Sequence, residues 1–250
     1  MASSVSYDFR DAVVLVTGGA SGIGAATARA CARAGATVIA ADVDAGRLPA
    51  LSETPGIVAK RVDVADAAAV GALVAEIDRA YGRIDAAVLG AAVQARTPIE
   101  ALSDAEWRRH LAVNLDGVFH CMRSLAPIMK RQRRGAILCF TSGLVHAGWP
   151  GAAAYAASKG ALIGLTKCVA HELSPFGVRA NVLSPGLVAT PVFLDVASPE
   201  EVAMYRDSVG ISAPEDVVPT VLHLISDASA SLTGAVIERR LVPGRGATGA

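Results

Sequence analysis

Apolar residues along this chain follow two alternating rhythms. Short, nearly unbroken apolar runs are separated by longer stretches in which apolar residues return every three or four positions. The runs at 12–17 (AVVLVT), 37–42 (TVIAAD), 57–64 (IVAKRVDV), 84–92 (IDAAVLGAA), 136–142 (AILCFTS), 178–184 (VRANVLS) and 234–241 (GAVIERRL) predict strands. Between them, residues 22–34, 67–81 and 153–173 read as helices, with a short helix before Ile57. Ser103 can cap a long helix running to about Lys130, with Asp104 and Glu106 in its first turn. Two more helical stretches lie near 200–208 and 214–226. Strands alternating with helices predict an α/β fold, a doubly wound parallel sheet of about seven strands with helices on both faces. We expect one domain over 1–250, with 1–8 flexible and 191–213 forming a lid over a substrate. Ligands in such folds bind beyond the C-terminal ends of the strands, where the strand order reverses.

Composition narrows the classes of function. Of 250 residues, 52% are apolar and 18% charged, a balance that excludes a disordered chain. The apolar excess is mostly alanine, with little aromatic content, which suits closely packed helices. Formal charge is zero, so there is no electrostatic footprint for nucleic acid or an anionic membrane. The basic cluster KRQRRG at 130–135 joins a helix to a strand and reads as a helix C-terminus rather than a binding patch. No apolar run reaches the roughly 18 residues of a membrane span. The start, MASSVSYDFRD, lacks the pattern of a secretory signal. Cys31, Cys121, Cys139 and Cys168 show no C-x-x-C spacing and read as small core residues of a cytoplasmic protein. The histidines form no H-E-x-x-H or paired spacing, so no metal is expected.

Two motifs carry chemistry. The first strand runs into TGGASGIG at 17–24 and then into a helix. The glycines fall at 18, 22 and 24, with Gly19 extra, and so miss the common G-x-G-x-x-G spacing. Their physics is the same: a tight turn, close backbone approach, and a helix N-terminus offering free N–H groups to a pyrophosphate. Such a turn by itself also serves as a plain strand–helix connection. Asp42 ends the second strand twenty residues after Gly22, where a carboxylate can accept from an adenosine ribose hydroxyl. The second motif is YAASK, which sets Tyr155 and Lys159 one helical turn apart, about 5–6 Å at Cβ. A neighbouring cation favours the phenolate, which makes a tyrosine useful as an acid or base. Alone, the pair equally suits a helix surface with a solvated lysine.

With these and four further segments, the chain resembles the short-chain dehydrogenase/reductase family, in its compact Rossmann-type branch, over roughly 9–241. TGGASGIG matches the family's T-G-x-x-x-G-x-G turn, VDV at 62–64 the segment whose aspartate, Asp63, meets adenine, and VNLDGVF at 113–119 the helix bearing Asn114. FTSGL places Ser142 thirteen residues before Tyr155, YAASK matches Y-x-x-x-K, and SPGLVAT at 184–190 matches the segment at the nicotinamide end. The resemblance implies catalysis by Asn114, Ser142, Tyr155 and Lys159. Tyr155 is the general acid–base. Lys159 lowers its pKa and holds the nicotinamide ribose, Ser142 steadies the substrate oxygen, and Asn114 anchors a water behind Lys159. It implies cofactor contacts from Gly18, Ser21, Gly22, Ile23, Gly24, Asp42, Asp63, Val64, Gly90, Ala91, Tyr155, Lys159, Pro185, Gly186, Val188 and Thr190. Two segments depart from the family pattern. Leu89–Gly90–Ala91–Ala92 replaces N-N-A-G, which puts the bracing of that loop in doubt. ERRLVPGRG at 238–246 replaces the usual acidic ending, which bears on assembly.

Asp42 and the neutral Ser21 point to NAD rather than NADP, although Arg47 could reach a 2′-phosphate. Ser142 lacks the G-x-S-x-G setting of a hydrolase. Gln94, Ser142, His146, Trp149, Leu187 and Phe193 could line a pocket for a small-molecule secondary alcohol or ketone. Hydroxysteroids, cyclic alcohols, polyols and hydroxyacyl thioesters all remain open. The alternatives are an NADPH-dependent 3-oxoacyl thioester reductase and, in another class, a non-catalytic NAD-binding sensor or scaffold. Ala157, Ala161 and Gly164 beside Leu162 and Leu165 suggest a homo-oligomer, a tetramer or failing that a dimer.

Overall fold

The computed structural model describes residues 5–240. In order these form β1 (Val13–Thr17), α1 (Gly22–Arg33), β2 (Thr37–Asp42), α2 (Leu48–Ser52), β3 (Ile57–Arg61), α3 (Ala67–Tyr81) and β4 (Ala86–Leu89). Then come α4 (Asp104–Leu111), a π-helical turn (Ala112–Asp116), α5 (Gly117–Gln132), β5 (Gly135–Phe140), α6 (Leu144–Ala147) and α7 (Ala153–Leu173). The chain continues through β6 (Val178–Ser184), α8 (Pro191–Leu194), α9 (Pro199–Ser208), α10 (Val218–Ile225) and β7 (Val236–Glu238). All strands pair in parallel, in the order β3-β2-β1-β4-β5-β6-β7. The order reverses between β1 and β4, and both strands are buried at every residue.

Alternation along β1 shows why both faces need helices. Val13 and Leu15 enter one apolar layer with Ile77 of α3, Met129 of α5 and Leu162 of α7. Val14 and Val16 enter the other, with Cys31 of α1 and Val221 of α10. Successive strand side chains point to opposite faces, so one strand feeds two cores. Burial of each such aliphatic side chain contributes roughly 1.5–3 kcal/mol.

Several elements differ from their expected bounds. The third strand ends at Arg61 rather than at 64, because Asp63 Oδ1 accepts from Ala65 N and turns the chain toward α3. The fourth ends at Leu89, before the glycine and alanines. The seventh covers only Val236–Glu238, and residue 241 of the expected run lies outside the described residues, as do 1–4 of the leader and most of the unusual tail. The long helix does start at Ser103, whose Oγ accepts from Glu106 N. It is interrupted by the π-helical turn at Ala112–Asp116, a device that inserts a residue and re-aims side chains. The basic cluster is spent on structure. Arg131 and Arg134 pair with Asp78 and Asp227, and Arg133 caps α5 in the left-handed conformation. Cys168 corrects the reading of four core cysteines, being exposed on α7 while the other three are buried. Leu162 is likewise fully buried rather than part of an outer face.

The turn after β1 is the tightest contact in the fold. A Cβ on Gly24 would lie 2.0 Å from Gly18 O, and one on Gly18, where φ is +67°, would lie 2.7 Å from Ala91 N. In α3, by contrast, a Cβ on Gly71 would meet nothing within 4 Å. Gly24→Ala should therefore lower the unfolding free energy by about 2 kcal/mol or more, since only backbone can move aside. Gly71→Ala should raise it by roughly 0.5–1 kcal/mol by removing helix-interior glycine entropy. Urea denaturation checks both, and equal midpoints would contradict the packing described.

Candidate active site

The reversal point between β1 and β4 opens a cavity of about 450 Å³ at the C-terminal ends of the strands. Its floor is the glycine turn, pressed against the loop after β4. That loop carries Gly90, Ala91 and Ala92 where a segment with bracing asparagines is expected, yet it is braced. Gly90 N donates to Thr17 O at 3.0 Å, and Val93 N donates to Asn114 Oδ1 at 2.8 Å. Asn114 Nδ2 returns to Val93 O at 2.9 Å, and Ala95 N donates to His110 Nε2 at 3.1 Å. The π-helical turn is what brings the buried Asn114 to this loop.

Every residue expected at the cofactor borders this one cavity, from Gly18 and Ser21 through Asp42, Asp63 and Gly90 to Thr190. Ser21 makes no side-chain cap on α1, so the first N–H groups of that helix stay available. Asp42 is fixed by two backbone donors, Ala20 N at 2.9 Å and Asp44 N at 3.0 Å, one on each oxygen. Arg47, the candidate for a 2′-phosphate, is held by Asp44 at 3.2 Å instead and does not border the cavity.

At the other end lie Ser142, Tyr155 and Lys159. Ser142 follows β5 and its Oγ accepts from Leu144 N. The helix turn bearing Tyr155 and Lys159 is pinned from three sides. Thr141 Oγ1 donates to Lys159 O at 3.0 Å, Ser158 Oγ donates to Tyr155 O at 2.7 Å, and Asn114 Nδ2 donates to Ser158 Oγ at 3.0 Å. Asn114 therefore stands behind the cavity wall with both Nδ2 hydrogens engaged and one Oδ1 lone pair left to accept from a water. Lys159 is 2% exposed, and its Nζ lies 6.0 Å from the Tyr155 ring centroid. Burial lowers the Lys159 ammonium to about 8. Burial also pushes the Tyr155 phenol up to about 12, with hydrogen bonding to Ser142 pulling the other way. The direction for the phenol is thus opposite to the one expected from Lys159 alone, and burial is its cause.

Of the expected substrate residues, Gln94, Ser142, Leu187 and Phe193 border the cavity, and His146 and Trp149 do not. His146 is exposed on α6, with Nε2 3.5 Å from Glu238 Oε1. Trp149 lies behind the wall, its ring 5.6 Å from that of Tyr205 and beneath the Arg96 guanidinium. Sequence reasoning missed Arg96 and Arg109, which do border it. Arg96 follows Gln94 by two residues and was within reach of the same argument. Nothing in DAEWRRH marks Arg109. The arrangement can hold an extended ligand between the glycine turn and Tyr155, and can exchange a proton with an oxygen placed near Ser142.

The family model for short chain dehydrogenase matches residues 12–201. The chain is 37% identical over 232 residues to a 3-oxoacyl-[acyl-carrier-protein] reductase of Thermotoga maritima, covering 90% of this chain and 94% of that one. It is 35% identical over 231 residues to a 2-keto-3-deoxy-L-fuconate dehydrogenase of Xanthomonas campestris, covering 88% and 76%. Among solved structures, levodione reductase superposes with a TM-score of 0.86 at 29% identity, over 93% of this chain and 97% of that one. Fold, motif order and these matches agree: the chain belongs to the short-chain dehydrogenase/reductase family of oxidoreductases.

Proposed function

We propose that the protein interconverts a secondary alcohol and its ketone with NAD(H), using Tyr155 as general acid–base. The observation that carries this reading is the convergence of Ser142, Tyr155 and a buried Lys159 on the cavity whose far end holds the glycine turn and Asp42. The chain fits a dinucleotide. Side chains at Gly18 or Gly24 would collide with backbone, the α1 N-terminus is uncapped, and Asp42 keeps a free lone pair on each oxygen. When bound, the nicotinamide takes up or gives a hydride.

The residues of this chain do the rest. As the carbinol carbon loses its hydride, Tyr155 takes the hydroxyl proton, and a ketone results. In the other direction Tyr155 returns that proton to the carbonyl oxygen as the carbon gains a hydride. Ser142 donates to the same oxygen and disperses its charge. Lys159 keeps positive charge near the phenol and offers donors to the ribose. No helix of the described residues is long and apolar enough to cross a membrane, and free cysteines suit a cytoplasmic enzyme. A homo-oligomer, a tetramer in this reading, is supported by α7, which exposes Ala153, Ala157, Ala161, Gly164 and Cys168 along one face.

A second reading, reduction of a 3-oxoacyl thioester with NADPH, draws on the similarity to the Thermotoga maritima reductase. Asp42 at the cavity and the placement of Arg47 outside it weigh against its cofactor.

Mixing the protein with NAD and a panel of secondary alcohols should produce NADH absorbance. Tyr155→Phe should lower kcat by about 10³-fold or more, in keeping with loss of a general acid–base, while the NADH dissociation constant measured by fluorescence changes little. Near-normal turnover in that variant would sink the mechanism.

Cofactor choice tests Asp42. Charges ~4 Å apart interact by roughly 4 kcal/mol at an effective dielectric of 20. Relaxation leaves roughly 2–3 kcal/mol, on the order of a hundredfold in kcat/KM for NAD over NADP. Asp42→Ala should shrink that ratio without strongly reversing it, because Arg47 does not border the cavity. Equal use of both cofactors by the wild type would overturn this reading.

A further inference from the structure

We propose that the substrate carries an anionic group, received by Arg109 with Arg96, an inference that rests on the alcohol–ketone reading above. The charges bordering the cavity are sorted by position. Its carboxylates, Asp42 and Asp63, follow β2 and β3, on one side of the reversal point. Its cations, Arg96, Arg109 and Lys159, all come from the other side, the loop after β4 and helices α4 and α7. The carboxylates and the cations of the lining therefore come from opposite sides of the reversal point, the cations from the side that carries Tyr155.

Lys159 belongs to the proton chemistry, which leaves two guanidiniums. Arg109 is exposed and has no ion pair or side-chain hydrogen bond among the described residues, although its neighbour Arg108 pairs with Asp104 at 3.3 Å. The turn of α4 bearing Arg109 is tied to the Gln94–Arg96 loop by Ala95 N donating to His110 Nε2. Arg96 is committed only in part. Its Nη1 reaches both oxygens of Glu201 on α9, at 2.7 and 2.6 Å, and its guanidinium sits 5.8 Å from the Trp149 ring centroid. Its Nε is buried with no hydrogen-bond partner. A guanidinium presents five N–H donors, so Arg96 can brace α9 and still donate to a ligand. The same cavity is bordered by the apolar Leu187, Val192 and Phe193. Low-dielectric surroundings strengthen a charge-assisted hydrogen bond, an advantage open to the largely buried Arg96. Arg109, exposed and unpaired among the described residues, can meet an anionic group without giving up an existing partner. A carboxylate on the substrate, or the phosphate of an acyl-thioester carrier such as coenzyme A, would supply that group.

Matched pairs separate the possibilities. NAD reduction is followed with 3-hydroxybutyrate and 3-hydroxybutyramide, with 4-hydroxycyclohexanecarboxylate and its amide, and with 3-hydroxybutanoyl-coenzyme A and its N-acetylcysteamine thioester. The wild type should favour the charged member of at least one pair by about tenfold or more in kcat/KM, the scale of one charge-assisted hydrogen bond. Preference within the acid–amide pairs identifies a carboxylate, and preference within the thioester pair identifies the carrier phosphate. Arg109→Gln should cut that preference by about tenfold, mainly through KM, and Arg109→Lys should restore most of it. Equal use of charged and neutral members would overturn the inference and leave the redox reading standing. So would an unchanged preference in Arg109→Gln, or a loss confined to NADH affinity. Failure of every member, charged and neutral, would remove both readings together.

Discussion

A lysine ammonium buried without a carboxylate partner is the costly feature around which this molecule is arranged. Lys159 is 2% exposed and forms no ion pair among the described residues. Desolvation brings it to about 8, below the ordinary lysine value. The unfolded chain then holds more protons than the folded one between about pH 8 and the normal lysine range near 10.4. Stability therefore rises with pH across that window, and the penalty of the buried charge is fully present below it. Such a cost persists where function needs the charge. Here the charge borders the same cavity as the Tyr155 phenol and Ser142.

Keeping the ammonium in place takes much of the surrounding fold. Thr141, at the end of β5, holds the Lys159 carbonyl, and Ser158 and Asn114 link α7 to the loop after β4. The π-helical turn at Ala112–Asp116 is the local irregularity that lets Asn114 serve both α7 and the loop. On the far side of the reversal point, Gly18, Gly24 and Ala91 bring backbone so close that neither glycine has room for a side chain. The parallel order of the strands puts both features at one edge of the sheet.

The sequence disclosed most where periodicity or backbone geometry decides. The helix at 153–173, the strands at 37–42 and 178–184, and the glycine turn all follow from local pattern, and each lies where expected. It disclosed less where distant partners decide. Arg96 faces the cavity because Glu201, 105 residues away, and Trp149 take its guanidinium. His146 turned outward to Glu238, and Trp149 went behind the wall to Tyr205. The π-helical turn has no compositional mark, since the run from Ser103 to Lys130 reads as uniform helix. For Tyr155, spacing gives the distance to a cation but not the depth of burial, and burial raises the phenol.

The central claim is that Lys159 remains a desolvated, unpaired ammonium beside Tyr155, and NMR titration of the lysine side chains measures this directly. Labelled Cε positions give four signals, from Lys60, Lys130, Lys159 and Lys167, and Lys159→Met deletes the one to be followed. A Lys159 midpoint near pH 8 is the result this account predicts. A midpoint at the ordinary lysine value of about 10.4 would show the ammonium to be solvated or paired, and would contradict it.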